Sequence, residues 1–180
     1  MENTIKGKYI LTCNKIKNEQ LFNIVFNTLK VVPDYFYTIP SSSSGKYHPE
    51  DELGEGGLIK HVLKTVKVAD ILAPAYQLSE NELELCKTAL LLHDCCKSGK
   101  KENSGHTEFL HPNYAAELIL ESNKHNKYAK KVTKLVKSHM GIWNTSKYCM
   151  GKLNKPKTKL EKFVHMCDFI ASRKELIIEL

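Results

Sequence analysis

The stretch Leu90-Leu91-Leu92-His93-Asp94-Cys95-Cys96-Lys97 sets an adjacent histidine and aspartate directly behind an apolar run. Burying a charge is costly unless it finds a partner or a metal ion, so the pair has two readings. Either a helix ends here and the pair faces water, or the pair holds a metal ion and the rest of the chain supplies further ligands. The run before it has the marks of a helix. Ser79 and Glu82 stand at the spacing of a capping box, and Leu85, Ala89, Leu92 and Cys96 recur on one side.

Outward from this stretch, helical periodicity dominates and convincing alternating strands are absent. A helix is expected over Asn18 to Lys30, with Leu21, Phe22, Val25, Phe26 and Leu29 on one face. The turn-rich IPSSSSGKYHPEDELGEGG that follows reads as an irregular loop, too polar to pack as core. Further helices are expected from about Leu58 to Ala73, stopped by Pro74, and from His111-Pro112, where proline suits the first helical position. Two more are expected, over Tyr128 to Met140, closed by Gly141, and from the second capping-box spacing, Thr158 to Glu161, through Asp168 and Arg173. The expectation is an all-α fold in a single domain over residues 1–180, with 1–55 as an N-terminal helix plus a loop bordering the site and 56–180 as the core.

Composition narrows the class. No apolar run is long enough to cross a bilayer, and the start MENTIKGKYI lacks the apolar stretch of a secretory signal. The six cysteines (Cys13, Cys86, Cys95, Cys96, Cys149, Cys167) form no CxxC pair, which points away from a zinc ribbon and toward reduced thiols in the cytoplasm. Cys95 and Cys96 are expected to pack the helix end. The net charge of +7 is carried almost entirely by lysine. It is compatible with phosphate-bearing substrates, and also with a plain solvated surface. With Arg173 as the sole arginine, phosphate recognition by arginine forks is nearly excluded.

The remaining ligand candidates fall on apolar faces. His61 lies with Leu58, Thr65, Val68 and Leu72, beside a stripe of Lys60, Lys64 and Lys67 that reads as exposed. His139 lies with Val132, Leu135 and Val136, and Asp168 with Leu160, Val164 and Ala171. A lone histidine on such a face is usually a satisfied core residue. An aspartate in mid-helix is harder to accommodate, being unfavourable by propensity and by burial. Four helices each bring one or two such residues inward, and His111 adds a position at a helix start. Imidazole with carboxylate suits a hard or borderline divalent ion with open coordination sites, such as Mn, Fe, Mg, Co or Ni.

The order His61, His93-Asp94, His111, His139, Asp168 resembles the HD-domain superfamily of metal-dependent phosphohydrolases. The local texts GGLIKHVLKTVKVADIL, ALLLHDCCKSGK, HPNYAAELI, KSHMGIW and PKTKLEKFVHMCDFIASRK carry the likeness from Gly56 onward. Among members they most resemble the HD domain of bacterial 3′-to-5′ exoribonucleases and small stand-alone HD proteins. The resemblance implies a helical bundle in which His61, His93, Asp94 and Asp168 hold a first metal. His111 and His139 match the extra histidines of members that bind two, with Asp94 as the bridge, so one or two ions are expected. Lys97 matches a lysine that contacts phosphate, although a lysine complementing a helix C-terminus explains it equally well.

On this reading Asp94 orients the attacking water and Lys97 stabilises developing charge. Ser44, Gly45 and Lys46 can wrap a phosphate, or form a surface loop. They make no Walker loop, because Pro40 stands where glycine is needed and Tyr47 where serine or threonine is needed. His48, His106 and His165 are candidates for supporting contacts or plain surface and pocket-wall positions. Trp143, the single tryptophan, can stack a base or pack in the core. The expected substrate is a phosphorylated small molecule, a nucleotide or cyclic nucleotide first, with short RNA or DNA as further candidates and no membrane partner. The rival is a non-catalytic module that binds a nucleotide or a protein. The complete ligand set argues against it.

Overall fold

The structure, a computed structural model, describes residues 4–101, 103–143, 147 and 152–180. Among these there are seven α-helices and no strand: α1 (Ile5–Cys13), α2 (Glu19–Leu29), α3 (Gly57–Leu72), α4 (Glu80–Leu92), α5 (His111–Ser122), α6 (Ala129–Lys137) and α7 (Lys159–Ala171). The all-α expectation holds, and the helix starts lie where local chemistry puts them. Asn18 Oδ1 accepts from the amides of Gln20 and Leu21. Ser79 with Glu82 and Thr158 with Glu161 form reciprocal capping boxes at α4 and α7, satisfying amides that have no partner inside the helix. Helix α1 goes beyond the sequence reading. Only Tyr9 and Cys13 of its nine residues are buried, which leaves too faint an apolar stripe to stand out.

Helix α4 is the axis of the bundle, packed against α2, α3, α6 and α7. Its last turn is enclosed on every side, for Ala89, Leu90, Leu91 and Leu92 are all fully buried. Each such leucine contributes about 1.5–3 kcal/mol, so the helix is strongly held with its C-terminal end in the interior. His93 and Asp94 follow directly and are buried too. The reading in which the pair faces water is thereby excluded. Cys95 and Cys96 are fully buried at the same end; Cys149 lies outside the described residues.

Helix α3 packs on α1, α4 and α7, and α5 packs on α2 and α6. The segment between α2 and α3 departs from expectation. It is a strap laid over the start of α3, and two of its polar residues, Ser41 and Glu52, are fully buried. Backbone bonds pin it: Ser41 N donates to Glu52 O at 2.9 Å, Gly56 N to Thr38 O at 2.9 Å and Leu58 N to Ile39 O at 3.0 Å. Polar side chains can enter the interior here because partners meet them. Glu52 faces His48, His61 and Lys64. Lys64 is correspondingly buried, not part of an exposed stripe. No described helix is long and apolar enough to cross a membrane.

Candidate metal centre

Three of the centre's histidines sit at helix ends and share one local device. His93 Nδ1 lies 2.6 Å from Leu90 O, His111 Nδ1 2.6 Å from Glu108 O, and His139 Nδ1 2.7 Å from Val136 O. A carbonyl oxygen only accepts, so Nδ1 carries the proton in each ring and donates it three residues back. The bond occupies a carbonyl near a helix terminus and fixes the tautomer. Each Nε2 is left as a bare lone pair aimed inward. His139 is therefore not on the body of a helix, as periodicity suggested. α6 ends at Lys137 and His139 follows in a tight turn closed by Gly141 at φ 57°. Gly141 is needed for a second reason, since a Cβ there would lie 2.2 Å from the His165 ring. His165 Nδ1 in turn donates to His139 O at 2.8 Å.

The lone pairs converge on carboxylates. Asp94 Oδ1 is 3.0 Å from His111 Nε2 and 3.6 Å from His139 Nε2. His93 Nε2 is 3.4 Å from Asp94 Oδ2 and 3.7 Å from Asp168 Oδ1, which is 2.9 Å from His61 Nε2. All six residues expected as ligands, His61, His93, Asp94, His111, His139 and Asp168, are thus brought together. They form overlapping groups: His61, His93 and Asp94; His93, His139 and Asp168; Asp94, His111 and His139. Asp94 stands in two of them.

This arrangement is electrostatically unfinished. His111 and His139 present Nε2 to each other at 3.1 Å, and both rings already spend their proton on a backbone carbonyl. The His93 Nε2 and Asp94 Oδ1 atoms are buried and make no hydrogen bond to the described residues. Buried acceptors facing acceptors repel unless a cation lies among them. The donor set fits a divalent ion of the hard or borderline kind, which takes imidazole and carboxylate together.

Protonation matches that requirement. Burial alone would raise the Asp94 carboxyl, but Lys97 holds it well below the usual range; Lys97 Nζ sits 2.6 Å from Asp94 Oδ2. Asp168 is likewise held low against burial by its bond from His61. Burial pushes His139 down to about 3, keeping it neutral. His61 is the exception. Burial opposes its charged form, yet the bonds to Asp168 and Glu52 carry it up to about 9.

Glu52 is the residue that sequence reasoning missed. Its Oε2 lies 2.8 Å from His48 Nδ1 and 3.4 Å from His61 Nδ1, and its Oε1 lies 3.0 Å from Lys64 Nζ. Against burial, His48 and His61 hold this carboxyl well below its ordinary value. A carboxylate on the outer nitrogen of a histidine fixes which nitrogen faces inward. The signal lay in Gly56-Gly57: a Cβ on Gly57 would fall 1.8 Å from Glu52 O, so the strap can press onto α3 only at a glycine.

A cleft of about 290 Å³ opens over the centre, with Asp168, His111, His139 and Lys97 at its floor and Ser41, Ser42 and His48 along one side. Ser44 and Lys46 are exposed and do not line it. The amides of Ser44 and Gly45 are directed at Ser42 Oγ, and Lys46 Nζ lies over the Tyr47 ring at 5.2 Å. These groups are occupied locally, which disfavours the phosphate wrap expected there. His106 is exposed beside Glu108. Trp143 lines the cleft and stays 43% exposed, so it is no core residue. Arg173 lines it as well. A single arginine matters when the fold delivers it to the site.

The family model for the HD domain matches residues 58–172, a span that takes in every one of the six converging residues. No curated protein and no solved structure matches the chain. The match covers well over half of the polypeptide, and the chain belongs to the HD domain family, whose members are in general metal-dependent hydrolases of phosphorylated substrates.

Proposed function

We propose that this protein is a metal-dependent phosphohydrolase that cleaves a phosphoester of a nucleotide, cyclic nucleotide or short oligonucleotide. The observation that carries the reading is the set of buried Nε2 lone pairs and carboxylate oxygens facing one another with no proton left to reconcile them. His61, His93, Asp94 and Asp168 are the ligands proposed for one ion; His111 and His139, sharing Asp94, are those for a second. When bound, a divalent ion supplies an acidified water and neutralises charge on the phosphoryl oxygens.

The chain's own groups do the rest. Asp94, ionised at neutral pH, accepts a hydrogen bond from the attacking water and orients it. Lys97 stands at the cleft floor beside Asp94 and stabilises the charge that grows on the phosphoryl group. His111 and His139 keep their Nδ1 protons on backbone carbonyls, so their inner nitrogens stay available as acceptors throughout. The cleft sits at the lower end of ligand-site volumes,, which favours one nucleotide unit over a long strand. The test is a screen of the purified protein with Mn, Mg and Fe against nucleotides, cyclic nucleotides, short RNA and bis(p-nitrophenyl) phosphate. Metal-dependent release of product from at least one is expected. Bound metal with no turnover on any of them would favour a binding module.

A further inference from the structure

The outer wall of the cleft is built differently from its floor. Trp143 and Phe169 stack with ring centroids 6.0 Å apart and planes 12° from parallel, and Tyr47 tilts against Trp143 at 6.3 Å. Among these rings lies the Arg173 guanidinium, its Cζ 4.5 Å from the centroid of Phe169, 5.4 Å from Tyr47 and 5.9 Å from Trp143. Aromatic faces hold a guanidinium in place without neutralising it. Arg173 makes no ion pair among the described residues. Its Nη2 donates to Ser172 Oγ at 3.2 Å, and its Nε is buried with no hydrogen-bond partner among the described residues.

The cationic side chains at the floor already have partners, Lys97 with Asp94 and His61 with Asp168. At the mouth, by contrast, stands a fixed cation with spare donors, next to an indole that keeps 43% of its surface exposed. One cleft therefore has two places that call for an anion, the centre once it holds its metal ion and Arg173, with a stacking surface at the second. A guanidinium offers the planar fork that suits phosphoryl oxygens, and exposed indole is a surface on which a planar base stacks.

From this, and resting on the phosphohydrolase reading for the inner site, we infer that Trp143 and Arg173 form a subsite for a nucleotide with two phosphoryl groups. The phosphoryl group that reacts lies at the metal centre. The other, which does not react, is gripped by Arg173, and the base lies against Trp143. Nucleoside monophosphates lack the second anchor and bind more weakly.

The single tryptophan makes the test direct, because its fluorescence reports on this wall alone. Stopped-flow titration of the Mg-loaded protein with adenosine 3′,5′-bisphosphate, adenosine 5′-monophosphate and ribose 5-phosphate reads binding before turnover. The bisphosphate should change the fluorescence and bind at least about tenfold tighter than the monophosphate, the size of one charge-assisted contact. Ribose 5-phosphate should leave the fluorescence unchanged. Arg173→Gln should erase the advantage of the bisphosphate, and Arg173→Lys should restore only part of it. Equal affinities for bisphosphate and monophosphate in the wild-type protein overturn the inference, with no need of a variant. Those equal affinities in a protein that hydrolyses bis(p-nitrophenyl) phosphate would remove the subsite and leave the hydrolase. An Arg173-dependent preference without hydrolysis would do the reverse.

Discussion

Replacing Glu52 with glutamine keeps the shape of a fully buried side chain and removes its charge. Three donors now converge on this carboxylate: His48 at 2.8 Å, Lys64 at 3.0 Å and His61 at 3.4 Å. An amide offers one acceptor atom, so its NH₂ must face either the Lys64 ammonium or the histidine rings, donor against donor. Lys64 retains Asp51 at 2.7 Å, which limits the damage to about one charge-assisted hydrogen bond, about 1.5–3 kcal/mol. In a chain of this size that lowers Tm by about 3–12 °C. The second effect is specific to the centre. Without a carboxylate on Nδ1, His61 loses the contact that orients its inner nitrogen, and such contacts are worth about 10–100-fold in metal affinity, or about 1.4–2.7 kcal/mol. Calorimetric titration of chelator-stripped protein with Mn²⁺ reads the affinity, and thermal unfolding reads the stability. Leu21→Ala on α2, which empties a buried core position remote from the centre, serves as control. It should cost about 2–5 kcal/mol of stability and leave metal affinity alone. Wild-type Mn²⁺ affinity in Glu52→Gln, alongside a lowered Tm, would reduce Glu52 to a structural role with no part in orienting His61.

Lys97→Met takes the ammonium from beside Asp94 and from the cleft floor. It should lower turnover about 10²–10³-fold while leaving metal stoichiometry intact, as kinetics beside metal analysis would show; unchanged turnover would remove Lys97 from the mechanism. A pH effect follows from His61, which is held up to about 9 in the metal-free protein. At pH 7.5 it is therefore protonated, and a cation on Nε2 must displace that proton. Apparent metal affinity should rise about tenfold per pH unit from about 7 to about 9 and level off above. Calorimetry in two buffers of different ionisation enthalpy should show about one proton released per first ion bound, and a heat independent of buffer would contradict it.

The helical fold was legible in the sequence because its signals are local. Ser79 and Thr158 each close a capping box within four residues, and apolar periodicity marks α2 through α7. The six converging residues were legible because an aspartate or histidine on a buried stripe is costly and so conspicuous. Three things were hidden. Helix α1 buries too little for its stripe to show. Glu52 sits in a polar strap without periodicity, and its burial depends on the Lys64, His48 and Gly57 contacts that only folding assembles. The tautomers of His93, His111 and His139 depend on backbone carbonyls three residues back, which residue identities do not reveal. Arg173 was discounted on abundance, although abundance says nothing of where the single copy lies.

Whether Asp94 and its neighbours hold a divalent ion is read by elemental analysis of wild-type protein and Asp94→Ala, both purified without chelator and then equilibrated with Mn²⁺. One or two ions per wild-type chain, with little or no ion and no hydrolysis in Asp94→Ala, is the predicted result. A wild-type protein that takes up no Mn²⁺, or an Asp94→Ala protein that keeps the full complement and its activity, would contradict it.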